Sequence, residues 1–157
     1  MKTHTRICVV AGTVLALTGC GASSGAITET DRNGIEKTVQ AFPAAILKGD
    51  FAAAAALWTA DVYVLPPHAA SLRGRAEIAK FFAGFGKTSA LTEKVVESEG
   101  RGDLAYTWFS FDATFVPPGA TTPINDKGKG LLAMVRQSDG SWLVSRAAWN
   151  SDLPLPK

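Results

Sequence analysis

Few residues of this 157-residue chain could do acid–base, nucleophilic or metal chemistry. It has two cysteines, Cys8 and Cys20, and two histidines, His4 and His68. Zinc and related metals are usually held by three or four such side chains at close spacing, so neither a metal site nor a cofactor is expected. Histidine is the side-chain type that titrates nearest neutrality, and His68 follows Pro66-Pro67. It reads as a general base or ligand contact at the mouth of a site, or as a solvated loop residue. Asp61 is the other candidate base, with capping or a turn contact as its simpler role. Asp112 and Arg146 fall in mid-strand and could pair, since a buried arginine needs a partner. No nucleophile, base and orienting group come together. The richer supply is aromatic: Trp58, Phe81, Phe82, Phe85, Tyr106, Trp108, Phe109, Phe111, Phe115 and Trp149. Apolar walls with few polar groups suit a small, mostly apolar ligand. The same rings could instead fill the space and leave no cavity.

The N-terminus carries chemistry of another kind. Residues 1–6 contain Lys2 and Arg6 and no acid, and 7–17 is almost wholly apolar. A basic start before a short apolar run is the secretory pattern. The run is shorter than the ~20 residues a membrane-spanning helix needs. Leu17-Thr18-Gly19-Cys20 resembles the lipobox of bacterial lipoproteins. That resemblance implies a signal peptide over 1–19, cleavage before Cys20, and a lipid on its thiol. The implied location is the cell envelope. Gly21, where an aspartate would retain the protein at the inner membrane, leaves the outer membrane facing the periplasm as the destination in a two-membrane cell. In a one-membrane cell it would be the outer face of the cytoplasmic membrane. Of the 16 basic residues two lie in the leader, and the remaining 14 balance 14 acids. A neutral mature chain gives no footing for a nucleic-acid partner. With Cys8 removed, Cys20 has no cysteine to pair with.

The rest of the chain must build a core without a disulfide. Residues 20–29 are rich in glycine, alanine and serine and read as a flexible tether. Thr30 or Asp31 can cap a helix starting near Arg32, with Ile35, Val39, Phe42 and Ile46 as its apolar stripe. Pro43 should kink this helix rather than end it. Gly49 ends it, and Asp50 caps a second helix over 51–58. A short strand follows at 61–65, a turn at 71–74 and a third helix at 75–85. Strands are then expected at 91–98, 104–115, 129–137 and 141–150, with a loop at 117–126 and a hairpin turn at Ser138-Asp139-Gly140. Residues 153–157 form a tail. Helices first and consecutive antiparallel strands after them make an α+β domain over 30–152, with helices on one face of a curved sheet.

Several short motifs then fall into a familiar order. They are Leu47-Lys48-Gly49-Asp50 with Leu57-Trp58-Thr59-Ala60-Asp61, Leu72-Arg73-Gly74-Arg75-Ala76-Glu77-Ile78 with Phe81-Phe82, Gly102-Asp103-Leu104-Ala105-Tyr106, and Ala148-Trp149-Asn150-Ser151-Asp152. Together they resemble a SnoaL-like domain of the nuclear transport factor 2-like superfamily. The resemblance implies a cone: a bent antiparallel sheet wrapped around three N-terminal helices, with a pocket at the open end. It does not imply one activity, because this fold hosts isomerases, cyclases, hydratases and binding domains.

Ketosteroid isomerisation on this fold uses a carboxylate base, a tyrosine and a protonated aspartate. By the resemblance those positions fall on Pro66, Phe42 and near Ala133, where none of the three groups exists. The ligand pocket it implies comprises Phe42, Trp58, Tyr63, Pro66, His68, Phe82, Phe85, Thr107, Phe109, Phe111, Ala133 and Asn150. Tyr106 and Trp108 would then lie on the convex face, where a second copy of the chain is the expected cover. The leading expectation is a lipid-anchored protein that binds a small apolar ligand or a partner without catalysis. The alternatives are a lyase-, isomerase- or hydrolase-type enzyme using His68 or Asp61, and a structural dimerisation module.

Overall fold

A computed structural model describes residues 25–154. The expected leader and Cys20 lie outside them. The first helix, α1 (Glu29–Leu47), starts earlier than expected because Thr28 caps it. Asp31 is the third residue of a capping box: the Thr28 backbone N–H and hydroxyl donate to its carboxyl, at 2.8 and 2.7 Å. The helix runs on past Pro43 and buries the expected stripe of Ile35, Val39, Phe42 and Ile46. Each such side chain contributes roughly 1.5–3 kcal/mol when removed from water. Asp50 caps α2 (Phe51–Ala56), which ends early enough for Trp58 to open a strand.

The remaining elements are β1 (Trp58–Leu65), β2 (Leu72–Arg73), α3 (Arg75–Ala83), β3 (Lys87–Arg101), β4 (Leu104–Val116), β5 (Ile124–Arg136) and β6 (Trp142–Ser151). They form one curved sheet in the order β2-β1-β6-β5-β4-β3. It is mixed rather than antiparallel, since β6 returns beside β1 and runs parallel to it. The expected turn at 71–74 contains β2, and the expected loop at 117–126 already contains the start of β5. The hairpin at Ser138-Asp139-Gly140 forms as expected: the Ser141 N–H and hydroxyl donate to Asp139, and Gly140 takes φ 84°.

Helix α1 lies across β3 and β6 on the concave face. Its stripe meets Phe109, Leu132, Met134, Trp142 and Val144 in a single core. Two glycines shape that face. A Cβ at Gly130 would stand 2.5 Å from the Phe109 ring, and one at Gly128 would stand 2.8 Å from the Phe111 ring. Their absence lets both rings lie down over β5, their ladder neighbour. The chain joins the sheet at the end away from Phe111, where Ile27 donates its N–H to the Gly100 carbonyl.

Candidate functional site

The open end of the cone holds a cavity of about 90 Å³. Phe42 and Ile46 of α1, Phe82 and Phe85 near α3, Phe111 and Phe115 of β4, and Trp149 of β6 form its apolar walls. The rings brace one another. Phe42 meets Phe82 edge-on at 4.9 Å, Phe82 stacks on Trp149 at 6.1 Å, and Phe85 meets Phe115 edge-on at 5.3 Å. Such contacts add to the area they bury and fix the ring planes. The outcome lies between the two alternatives: the rings fill much of the cone and still leave a small cavity. It is well below the ~300–1,000 Å³ typical of drug-sized ligands. It suits something near the size of a single ring.

The expected pocket residues divide into three groups. Phe42, Phe82, Phe85 and Phe111 line the cavity. Trp58, Phe109 and Thr107 lie beneath it in the core, Trp58 edge-on to Phe42 and the Thr107 hydroxyl 3.1 Å from that of Ser98. Pro66 is also buried. Tyr63, His68, Ala133 and Asn150 are elsewhere. Tyr63 is 39% exposed and hydrogen-bonds Ser71 on the outside. His68 is exposed in the loop after β1, with φ 56°. Ala133 stands opposite Tyr106 and Asn150 opposite Lys129, so strand alternation puts both on the convex face. Trp149, one residue before Asn150, is the one that points inward. Asp61 is exposed too. A Thr59 side-chain hydrogen bond, first, and its own backbone N–H lower its pKa against a small burial effect, with Arg146 3.8 Å away. Arg146 therefore faces Asp61, while Asp112 stands opposite Lys127.

Two acids face the interior that the sequence reading did not single out. Asp126 lines the cavity and accepts a hydrogen bond from the Ser151 hydroxyl. It falls at the end of the expected loop at 117–126, a position that in the structure already belongs to β5. Glu93 stands directly opposite Phe111 in the β3–β4 ladder, between Leu91 and Val95, which both pack on the core. Burial pushes its carboxyl up to about 8, with no other cause acting. No hydrogen bond or ion pair reaches it among the described residues. The alternation Leu91, Glu93, Val95 carried the signal. It could be read only once it was known which face of β3 turns inward. No group of three or more metal-ligating side chains occurs among the described residues.

The profile of the SnoaL-like domain family matches residues 39–142. The chain belongs to that family. Solved structures extend the likeness to nearly the whole SnoaL-like domain. A ketosteroid isomerase-like protein from Erwinia carotovora atroseptica superposes with a TM-score of 0.72 at 18% identity, over 81% of this chain and 100% of the other. A protein from Novosphingobium aromaticivorans, provisionally called a scytalone dehydratase, gives 0.70 at 17% identity over 79% and 85%. A nuclear transport factor 2-like superfamily protein from Salmonella enterica gives 0.68 at 16% identity over 83% and 96%. At these identities the likeness establishes the fold alone. No curated protein matches the chain.

Proposed function

We propose that this SnoaL-like domain is a lipid-anchored binding protein of the cell envelope, holding a small, mostly apolar molecule in the aromatic end of its cone. The observation that carries this reading is the cavity walled by Phe42, Phe82, Phe85, Phe111, Phe115 and Trp149. An enzyme built on His68 or Asp61 has little support, because neither residue lines that cavity. The anchor would hold the mouth outward. The chain joins the sheet near Gly100, whereas the cavity is bounded by Thr88, at the other end of the same strand, so the two are separated by roughly 40 Å at the usual rise per residue. Ligand would then arrive from the aqueous side.

Calorimetry on the full-length protein with single-ring probes tests the binding reading. Saturable binding is expected, and at least ~10-fold weaker binding in Ala113→Leu, whose added bulk enters the cavity. Absence of binding by toluene, ethylbenzene and acetophenone alike would reject the reading. Cys20→Ser should abolish incorporation of labelled fatty acid, and persistent labelling would reject the anchor.

A second copy of the chain is the proposed cover for the convex face. Trp108, Leu131, Ala148 and Leu65 align across four neighbouring strands, and Trp108 and Leu131 are 45% and 52% exposed. An apolar row of this kind usually marks an interface. Sedimentation should give a dimer that Trp108→Glu with Leu131→Glu turns into a folded monomer. A wild-type protein that is monomeric at all accessible concentrations would remove the dimer from the reading.

A further inference from the structure

Of the side chains that line the aromatic cavity, Thr88 and Asp126 carry oxygen, and Asp126 carries charge. Leu91, Ala113 and Asp126 stand in one row across β3, β4 and β5, and all three line the cavity. Gly128, two residues further along β5, faces the same side and carries the Phe111 ring, which a Cβ there would meet at 2.8 Å. The carboxylate therefore stands beside an aromatic ring. Its orientation is fixed by β6: the Ser151 hydroxyl donates to Oδ1 of Asp126 and itself accepts from the Leu153 N–H at 3.0 Å. The other oxygen, Oδ2, has no donor among the described residues. No lysine or arginine neutralises the group either, since the ion pairs of the described residues belong to Asp31, Asp61, Asp103 and Asp152. A carboxylate half-buried against hydrocarbon loses hydration, and a cation seated beside it offsets that loss.

We infer that Asp126 is the polar end of the ligand site and that the ligand is a small ammonium ion bearing one ring-sized hydrocarbon group, with an N–H donating to the free oxygen of Asp126 and the hydrocarbon lying among Phe42, Phe82, Phe111 and Trp149. The inference rests on the ligand-binding reading of the cone and names the class of ligand. Charge decides the class. A carboxylate only accepts hydrogen bonds, so its partner has to be a donor. An ionised donor makes the stronger bond and also neutralises the acid. The neighbouring rings add to the selection, because aromatic faces attract a cation. An anionic ligand would meet Asp126 with like charge. Size limits the rest of the molecule, since about 90 Å³ suits a single ring.

Ethylbenzene, benzyl alcohol and benzylammonium share one heavy-atom skeleton and differ in the terminal group: methyl, hydroxyl or ammonium. They separate the inference from the reading beneath it. With the full-length protein at neutral pH, benzylammonium should bind at least ~10-fold more tightly than ethylbenzene, the ratio a hydrogen bond to a charged group supplies. Benzyl alcohol should fall between them. Ethylbenzene should displace benzylammonium, which places both in one site. Asp126→Asn keeps the shape and an oxygen for the Ser151 hydroxyl. It should weaken benzylammonium at least ~10-fold and leave ethylbenzene unchanged. Benzylammonium no tighter than ethylbenzene in wild type overturns the inference and leaves the apolar cavity standing. Equal affinity for benzyl alcohol and benzylammonium does the same, as does benzylammonium that ethylbenzene fails to displace. Undiminished benzylammonium binding by Asp126→Asn also overturns it. Failure of all three probes to bind overturns the inference and the cavity reading together. The wild-type ratio and the displacement decide by themselves if Asp126→Asn folds poorly.

Discussion

Glu93→Gln is expected to stabilise the protein by roughly 2–4 kcal/mol at pH 8–9 and to change little near pH 4. The folded protein holds the Glu93 proton up to about 8, against 4.5 for the ordinary side chain. Between those values the folded state carries one proton more than the unfolded state. Stability is therefore full below pH 4.5 and falls as pH rises toward about 8, where the loss is complete. The full span corresponds to an upper bound of ~5 kcal/mol, and relaxation with water entry brings it down. Glutamine never ionises, and it is as poorly partnered as the neutral acid, so the difference between the two proteins isolates the charge. Urea unfolding at several pH values reads it directly. Parallel curves for wild type and variant between pH 4.5 and 9 would show that the carboxyl reaches solvent.

Asp31→Ala should destabilise the protein by ~2–4 kcal/mol at neutral pH. Asp31 is 5% exposed and does two jobs. It accepts from the Thr28 backbone N–H and hydroxyl, closing the first turn of α1, and it pairs with the Arg136 guanidinium at the end of β5. Arg136 also reaches the Gly102 carbonyl and Asp103 and lies 4.9 Å over the Trp142 ring. The truncation would leave the Thr28 backbone N–H without its acceptor and weaken the hold of α1 on the sheet beneath it. Burial alone would raise the Asp31 pKa. The Thr28 hydrogen bonds and Arg136 outweigh that and hold it at about 2, below the usual 3.8. A lowered folded value means stability present above pH 3.8 and lost as pH falls toward 2. The gap between wild type and variant should therefore shrink in acid. Equal urea midpoints at pH 7 would remove this contact from the account of stability.

These two acids mark what local pattern can and cannot reveal. Asp31 sits where a helix start was read, and its pairing with Arg136, 105 positions on, has no local signature. Glu93 lies in a segment whose alternation was visible, Leu91 and Val95 on its face, with Lys94 and Val96 on the other. Alternation alone does not say which face is inside. Two register shifts in the β3–β4 ladder make the choice still less local. In β4 the same rule worked, because aromatic and small residues alternate over a long run: Thr107 and Phe109 are buried, and Tyr106 and Trp108 are exposed. It failed at Ala133 and Asn150. A register shift in the β5–β6 ladder falls next to Ala133, and the face of Asn150 follows from its pairing with Lys129. The parallel run of β1 beside β6 was out of reach too, since nothing within either strand states which distant strand it will join.

The amino-acid order by itself determined the helix stripe, the aromatic strand, the hairpin and the α+β class, because these depend on periodicity and turn chemistry within a dozen residues. It also placed His68 and Asp61 among the few groups able to titrate or bind, without saying where they would point. Only the tertiary structure decided that both lie outside the cavity, that the rings leave about 90 Å³ open, and that Glu93 stands opposite Phe111 on the inward side of β3. Those outcomes depend on strand register and sheet curvature, which are set by packing between segments far apart in the chain.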